Sequence, residues 1–128
     1  MGSRGAGSGR RGGTFANETE FEKSLKGFDD PRLKDYQQGM DDITDTYGNP
    51  KSLITNAKNN GLSEWTAKSL ETDKKNLQAR MKDMPEKKTP KQLGEIAGIQ
   101  EYIKAIDEAL KYRGKKGKNP ADNVDILI

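Results

Sequence analysis

Apolar residues recur at helical spacing along most of this chain, and each run is bounded by recognisable start and stop residues. Phe21, Leu25 and Phe28 stand at i, i+4 and i+7, and Asn17 with Glu20 reads as a capping box, so a short helix is expected over about 18–28. Leu33, Tyr36, Met40, Ile43 and Tyr47 follow at alternating spacings of three and four, with Gly48 placed to end the second helix. Its interior Gly39 costs roughly 1 kcal/mol relative to Ala, which marks either a close packing contact or a weak point. Leu53, Ile54 and Ala57 form a short third stripe that stops at Asn60-Gly61. Ser63 then caps a longer helix whose apolar positions are Ala67, Leu70, Leu77, Met81 and Met84, interrupted by Lys74 and closed by Pro85. The most regular stripe is the last, Leu93, Ile96, Ile99, Ile103, Ile106 and Leu110, with Gly114 as its C-terminal cap.

Three helix starts share one device. In Asp30-Pro31, Asn49-Pro50 and Thr89-Pro90 a capping side chain precedes a proline whose fixed φ and missing N–H suit the first helical turn. Two long helices joined by the short loop 85–88 are expected to form an antiparallel hairpin. Trp65, the one Trp of a chain with few large apolar residues, is expected to pack in the core, with an interface anchor as the alternative.

The ends depart from this pattern. Residues 1–13 are low-complexity Gly, Ser and Arg, a composition that forfeits too much entropy on ordering to fold unaided. After Gly114 the chain is basic, and its last residues include Val124, Ile126, Leu127 and Ile128, apolar enough to dock on the bundle or on a partner. The reading is an all-α protein, a small bundle of four to five helices dominated by a C-terminal antiparallel hairpin. A flexible Gly/Arg arm (1–16) precedes the helical domain (17–114), and a basic linker with an extended apolar C-terminal tail (115–128) follows it.

Composition changes this picture in one respect. Of 128 residues, 30% are hydrophobic and 34% charged, so little apolar area offsets conformational entropy. Marginal stability is expected, or a partner that supplies the missing burial. Charge is unevenly spread: the net +3 divides into +3 for 1–13, −5 for 14–47 and +5 for 48–128. Such polarity suits an acidic partner and also suits two halves that attract each other.

The chain has no Cys and no His, which removes disulfides, thiolate nucleophiles, zinc-finger ligand sets and imidazole acid–base catalysis. Asp41, Asp42 and Asp45 are its densest carboxylates, and without the loop of an EF-hand they read as a solvated helix face. The glycines of the arm have no preceding strand and no Gly-Lys-Ser/Thr ending, so a nucleotide-binding loop is not indicated. Neither catalytic residues nor cofactor or metal ligands are nominated, and a non-enzymatic protein is expected. No apolar run approaches the ~20 residues of a membrane span, and no hydrophobic signal block is evident, so a cytoplasmic or virion location is expected.

The candidate chemistry is basic. Lys111, Arg113, Lys115, Lys116 and Lys118 place five bases in eight residues without an acid, the electrostatic footprint expected at nucleic acid. A helix end that simply places cations at its negative pole explains the same run. Aromatic residues interleave poorly, with Tyr112 inside the run and Tyr102 nearby, so base stacking has weak support. Arg4, Arg10 and Arg11 in the arm and Lys87, Lys88 and Lys91 at the hairpin loop complete three separated basic features.

The opening Gly2-Ser-Arg-Gly-Ala-Gly-Ser-Gly-Arg10 resembles the leader of small accessory proteins from prophages and mobile elements of Gram-positive gut bacteria. That resemblance implies a phage accessory protein, either a virion component or an inhibitor of a host system. The leading expectation is a non-enzymatic interaction protein, an inhibitor or adaptor, whose basic ends and loops meet an acidic surface of a protein or nucleoprotein partner. The alternatives are a virion, scaffold or assembly protein that oligomerises, and a direct non-specific nucleic-acid binder.

Overall fold

Each helix begins where a side chain takes up the free amides of its first turn. In the computed structural model, which describes residues 13–114, α1 spans Glu18–Ser24, α2 Arg32–Tyr47, α3 Pro50–Asn60, α4 Glu64–Lys82 and α5 Pro90–Leu110. The Asn17 side chain accepts from Glu20 N at 2.9 Å, and the Glu20 carboxylate reaches back to Ala16 N at 3.2 Å. Asn49 accepts from Lys51 N and Ser52 N, Ser63 from Thr66 N, and Thr89 and Gln92 close a reciprocal capping box. Gly48 and Gly61 end α2 and α3 at positive φ, where an L side chain would be strained. The described residues contain no strand, only two isolated bridges, Phe15 with Lys88 and Leu62 with Arg113. The chain is therefore all-α, as its periodicity indicates. The arm's residues 1–12 and the tail's 115–128 lie outside the described residues.

The first helix is shorter than the predicted 18–28. It stops at Ser24 because polar groups from the next helix start capture its end: the Arg32 guanidinium donates to Ser24 O at 2.7 Å, and the Asp30 carboxylate accepts from Lys26 N at 3.0 Å. Phe28, expected on the buried face of that helix, is fully exposed instead. α2 also begins one residue later than the sequence suggests, at Arg32 with Pro31 just outside it, although Asp30 still accepts from Arg32 N at 3.0 Å.

α5 is the axis of the bundle, with α2, α3 and α4 all packed on it. Its neighbour α4 runs antiparallel, as the hairpin requires, with Lys74 bound to Asp107 at 2.7 Å and Arg80 near Glu95 at 3.5 Å. The closest approach is made by α2, which lies parallel to α5 through glycines. A Cβ on Gly94 would stand 1.9 Å from the Tyr36 carbonyl oxygen, and one on Gly39 would stand 2.1 Å from that of Lys91. Gly98 is less constrained, since its Cβ would meet the Ile43 side chain at 3.1 Å. Of the two explanations open for Gly39, close packing is therefore the correct one.

Around this contact Ile43, Leu62, Leu70, Leu77, Ile99, Tyr102 and Ile106 form the main core, with Ala57, Ala67 and Ala109 filling narrow gaps. The Tyr102 hydroxyl crosses the core to donate to Tyr47 O at 2.9 Å. Trp65 does not join them: it is 81% exposed, a correction to its expected core position. The reason is angular. At ~100° per residue, a side chain two positions before Ala67 points roughly 200° away from it, off the stripe of Ala67, Leu70 and Leu77.

Substituting Gly94→Ala or Gly39→Ala should destabilise the fold despite the gain of about 1 kcal/mol in helix propensity, because two backbones must separate. A net loss of about 1–3 kcal/mol is expected at each, with Gly98→Ala milder. Denaturant midpoints at unchanged m-value would show the order, and equal midpoints for Gly94→Ala and the parent chain would exclude the glycine contact as the constraint.

Candidate interaction surface

Phe15 is the residue that brings separated basic features together. Its N–H donates to Lys88 O and its carbonyl accepts from Lys88 N, both at 2.8 Å, so the base of the arm is stapled to the hairpin loop. Since α2 and α5 run parallel, their starts share the same end of the bundle. The positive ends of two helix dipoles therefore lie at that end, together with the loop lysines and the point from which the arm departs. Lys87 is exposed there, Lys88 is half-buried with its ammonium on Glu86 O at 3.0 Å, and Lys91 reaches Asp42 at 3.4 Å. A cleft of about 310 Å3 opens beside it, between the start of α1 and α5, with Glu18, Lys88, Leu93 and Ile96 in its walls.

Phe28 belongs to this end. It sits in a turn closed by Asp30 N donating to Gly27 O at 3.2 Å, with Gly27 at φ 145°. The brace is Asp30, 7% exposed, whose carboxylate accepts from Lys26 N and Arg32 N and pairs with the Arg32 guanidinium at 2.8–3.0 Å. The Arg32 side-chain and backbone donors, with the Lys26 amide, hold the Asp30 carboxyl well below the usual carboxylate range. The same guanidinium lies 6.0 Å and 5.8 Å from the ring centroids of Phe15 and Phe21. Phe21 in turn stacks on Tyr36, whose hydroxyl donates to Glu18 at 2.8 Å. Burial, then Glu18, push the Tyr36 phenol well above its ordinary value. The arm base, the turn and the start of α2 are thus one braced unit that displays a single fully exposed phenyl ring.

The third basic feature lies elsewhere. Lys111 and Arg113 sit past the far end of α5, and its 21 residues put them roughly 30 Å from the hairpin loop. Both are engaged internally. Lys111 pairs with Glu108 at 2.7 Å, while Arg113 binds Glu64 with three donor contacts and Glu71 at 3.0 Å. These acids raise the Arg113 guanidinium further, and Arg113 lowers the Glu64 carboxyl. Leu62 N donates to Tyr112 O and Gly114 N to Leu62 O, both at 3.2 Å, which fixes the chain beside the start of α4. Arg4, Arg10, Arg11, Lys115, Lys116 and Lys118 lie outside the described residues.

Two aromatics expected in the core are exposed, Phe28 at 103% and Trp65 at 81%, and for Trp65 this leaves the alternative of an interface anchor. Helical phase was the available signal for Trp65. Nothing in the local pattern signalled Phe28, because the break before it depends on Arg32 reaching back across the turn. On α2, Asp41 and Asp42 are each held by a Gln one turn earlier at 3.0 Å and 2.8 Å. Among the described residues no group of three or more Asp and Glu is arranged to hold a metal ion, and no helix is long and apolar enough to cross a membrane. No family model, no curated protein and no solved structure matches the chain.

The Asp30 brace has a pH signature. A carboxyl depressed in the folded state stabilises it above the unfolded value near ~pH 4, and that contribution is lost as pH falls towards the folded one. Asp30→Asn should lower the thermal midpoint at neutral pH and flatten its fall between about pH 4 and pH 2. An unchanged acid limb in thermal melts would show that the carboxylate does not brace the turn.

Proposed function

We propose that this chain is a non-enzymatic interaction protein that docks an acidic surface of a macromolecular partner with the end where arm, hairpin loop and Phe28 turn meet. The observation that carries this reading is the Phe15–Lys88 pairing, which joins two basic features separated by more than 70 residues of sequence. Beside it are an exposed Lys87 and a phenyl ring on a turn braced by a buried ion pair, and the sequence that leads into Phe15 carries Arg4, Arg10 and Arg11. A rigidly presented aromatic loses little freedom on binding, the property of an interface anchor, while surrounding cations steer the encounter. The leader's resemblance to prophage accessory proteins agrees with an inhibitor or adaptor of a host complex.

The test compares what the immobilised full chain retains from extract of its source cells with what its variants retain. A partner held by the parent and by Trp65→Ala, released between about 0.05 and 0.5 M salt, should be lost from Phe28→Ala and from the Arg4→Ala, Arg10→Ala, Arg11→Ala triple variant. With that partner purified, Phe28→Ala is expected to weaken binding roughly 30-fold. A retained set indifferent to both variants would sink the reading.

A further inference from the structure

We infer that the outer face of α4 rests on an anionic lipid surface, with Trp65 seated at the headgroups and Lys68, Lys75 and Lys82 meeting their phosphates. Positions 65, 68, 72, 75, 79 and 82 advance in alternating steps of three and four. At ~100° per residue they form one line within an arc of roughly 100°, opposite the buried stripe of Ala67, Leu70 and Leu77. Every residue of that line is exposed: Trp65, Lys68, Thr72, Lys75, Ala79 and Lys82. It runs for roughly 26 Å without an acid.

The charge on this face is not neutralised. Lys68, Lys75 and Lys82 pair with no described acid, whereas Lys74 and Arg80, the bases of α4 that lie off the line, meet Asp107 and Glu95. The acids at its edge are engaged, since Glu64 and Glu71 both bind Arg113. Asp83 comes past its end, as the C-cap residue.

Three features favour a lipid surface over other anionic partners. A cylinder resting on a plane touches it along one line, and Thr72 and Ala79 are small enough to let this helix approach. The line holds lysines and no arginine. Lys is depleted in protein interfaces, while its hydrated point charge on a long apolar stem suits the diffuse potential of headgroups. A single amphipathic indole is an anchor for a membrane–water interface, whereas single-strand recognition stacks successive bases on several aromatics. This face shares no residue with the docking end proposed above, so either can fail without the other.

Trp65 is the only Trp, so its fluorescence in the full chain reports this face alone. Vesicles of phosphatidylcholine with about 30% phosphatidylserine, added at ~0.1 M salt, should shift its emission to the blue saturably and shield it from acrylamide. Pure phosphatidylcholine should do neither. Each lysine near such a surface is worth roughly fivefold in partition, so the Lys68→Gln, Lys75→Gln, Lys82→Gln triple variant should cosediment with these vesicles about 100-fold more weakly. Replacing Lys51, Lys58 and Lys104, exposed on α3 and α5, by Gln removes the same net charge and should change partition less than about threefold. By the same sedimentation, Trp65→Ala should bind about 10-fold more weakly with an unchanged circular dichroism spectrum, and Trp65→Phe should recover part of the loss.

Absence of a shift with anionic vesicles, an equal shift with neutral ones, or equal losses from the two triple variants would each overturn the inference. So would an oligothymidylate of about 12 nucleotides that shifts the Trp65 emission where anionic vesicles do not.

Discussion

The backbones of α2 and α5 touch, and the rest of the molecule is arranged around that contact. With Gly39 facing the Lys91 carbonyl and Gly94 facing that of Tyr36, no side chain separates the two helices where they pass. This addresses the difficulty posed by a composition with 30% hydrophobic residues. An interface that closes on backbone needs little side-chain volume to fill it, and close-packed main-chain atoms supply the dispersion contacts that larger side chains would otherwise make. Ala57, Ala67, Ala105 and Ala109, all buried, extend the same economy to the α3 and α4 contacts. The large apolar residues that remain are concentrated on one axis, α5, rather than shared evenly among helices.

Parallel packing of α2 on α5 also decides which segments meet at one end of the bundle. Were α2 antiparallel to α5, the Phe28 turn and the arm base would lie at opposite ends. Instead the starts of both helices coincide, and the aromatic cluster of Phe15, Phe21 and Tyr36 fills the space between them under the Arg32 guanidinium. Two positive helix ends placed side by side are unfavourable by themselves. The buried Asp30 carboxylate at the start of α2 offsets part of that, which gives this anion a structural reason beyond capping.

Local signals in the sequence carried much of the fold. Asn49-Pro50 and Thr89-Pro90 start helices as expected because an N-cap bond and a proline φ are satisfied within four residues, without tertiary help. Features that depend on distant residues were not legible. The end of α1 is set by Arg32, eight residues past Ser24, and the arm's position by Lys88, 73 residues past Phe15. Gly39 showed that something was unusual, yet its partners Lys91 and Gly94 lie on another helix. The site residues divide in the same way. Their charges were visible, but the neutralisation of Arg113 by Glu64 and Glu71 comes from segments more than 40 residues away.

Internal pairing also bears on how a run of cations should be weighed. Within Lys111–Arg113 both bases are paired with acids of the bundle, which ties the end of α5 to α4 through Arg113. Surface pairs of this kind contribute little stability singly, but here Arg113 spans two turns of α4 and fixes the backbone bridge at Leu62. The paired bases at this end hold the chain through Gly114 against the start of α4. At the other end Arg32 is paired with Asp30 in the same way, and the backbone of Phe15 is fixed by Lys88. Each end of the bundle thus has a paired arginine and an exposed aromatic, Arg32 with Phe28 at one and Arg113 with Trp65 at the other, and α5 keeps the two ends roughly 30 Å apart.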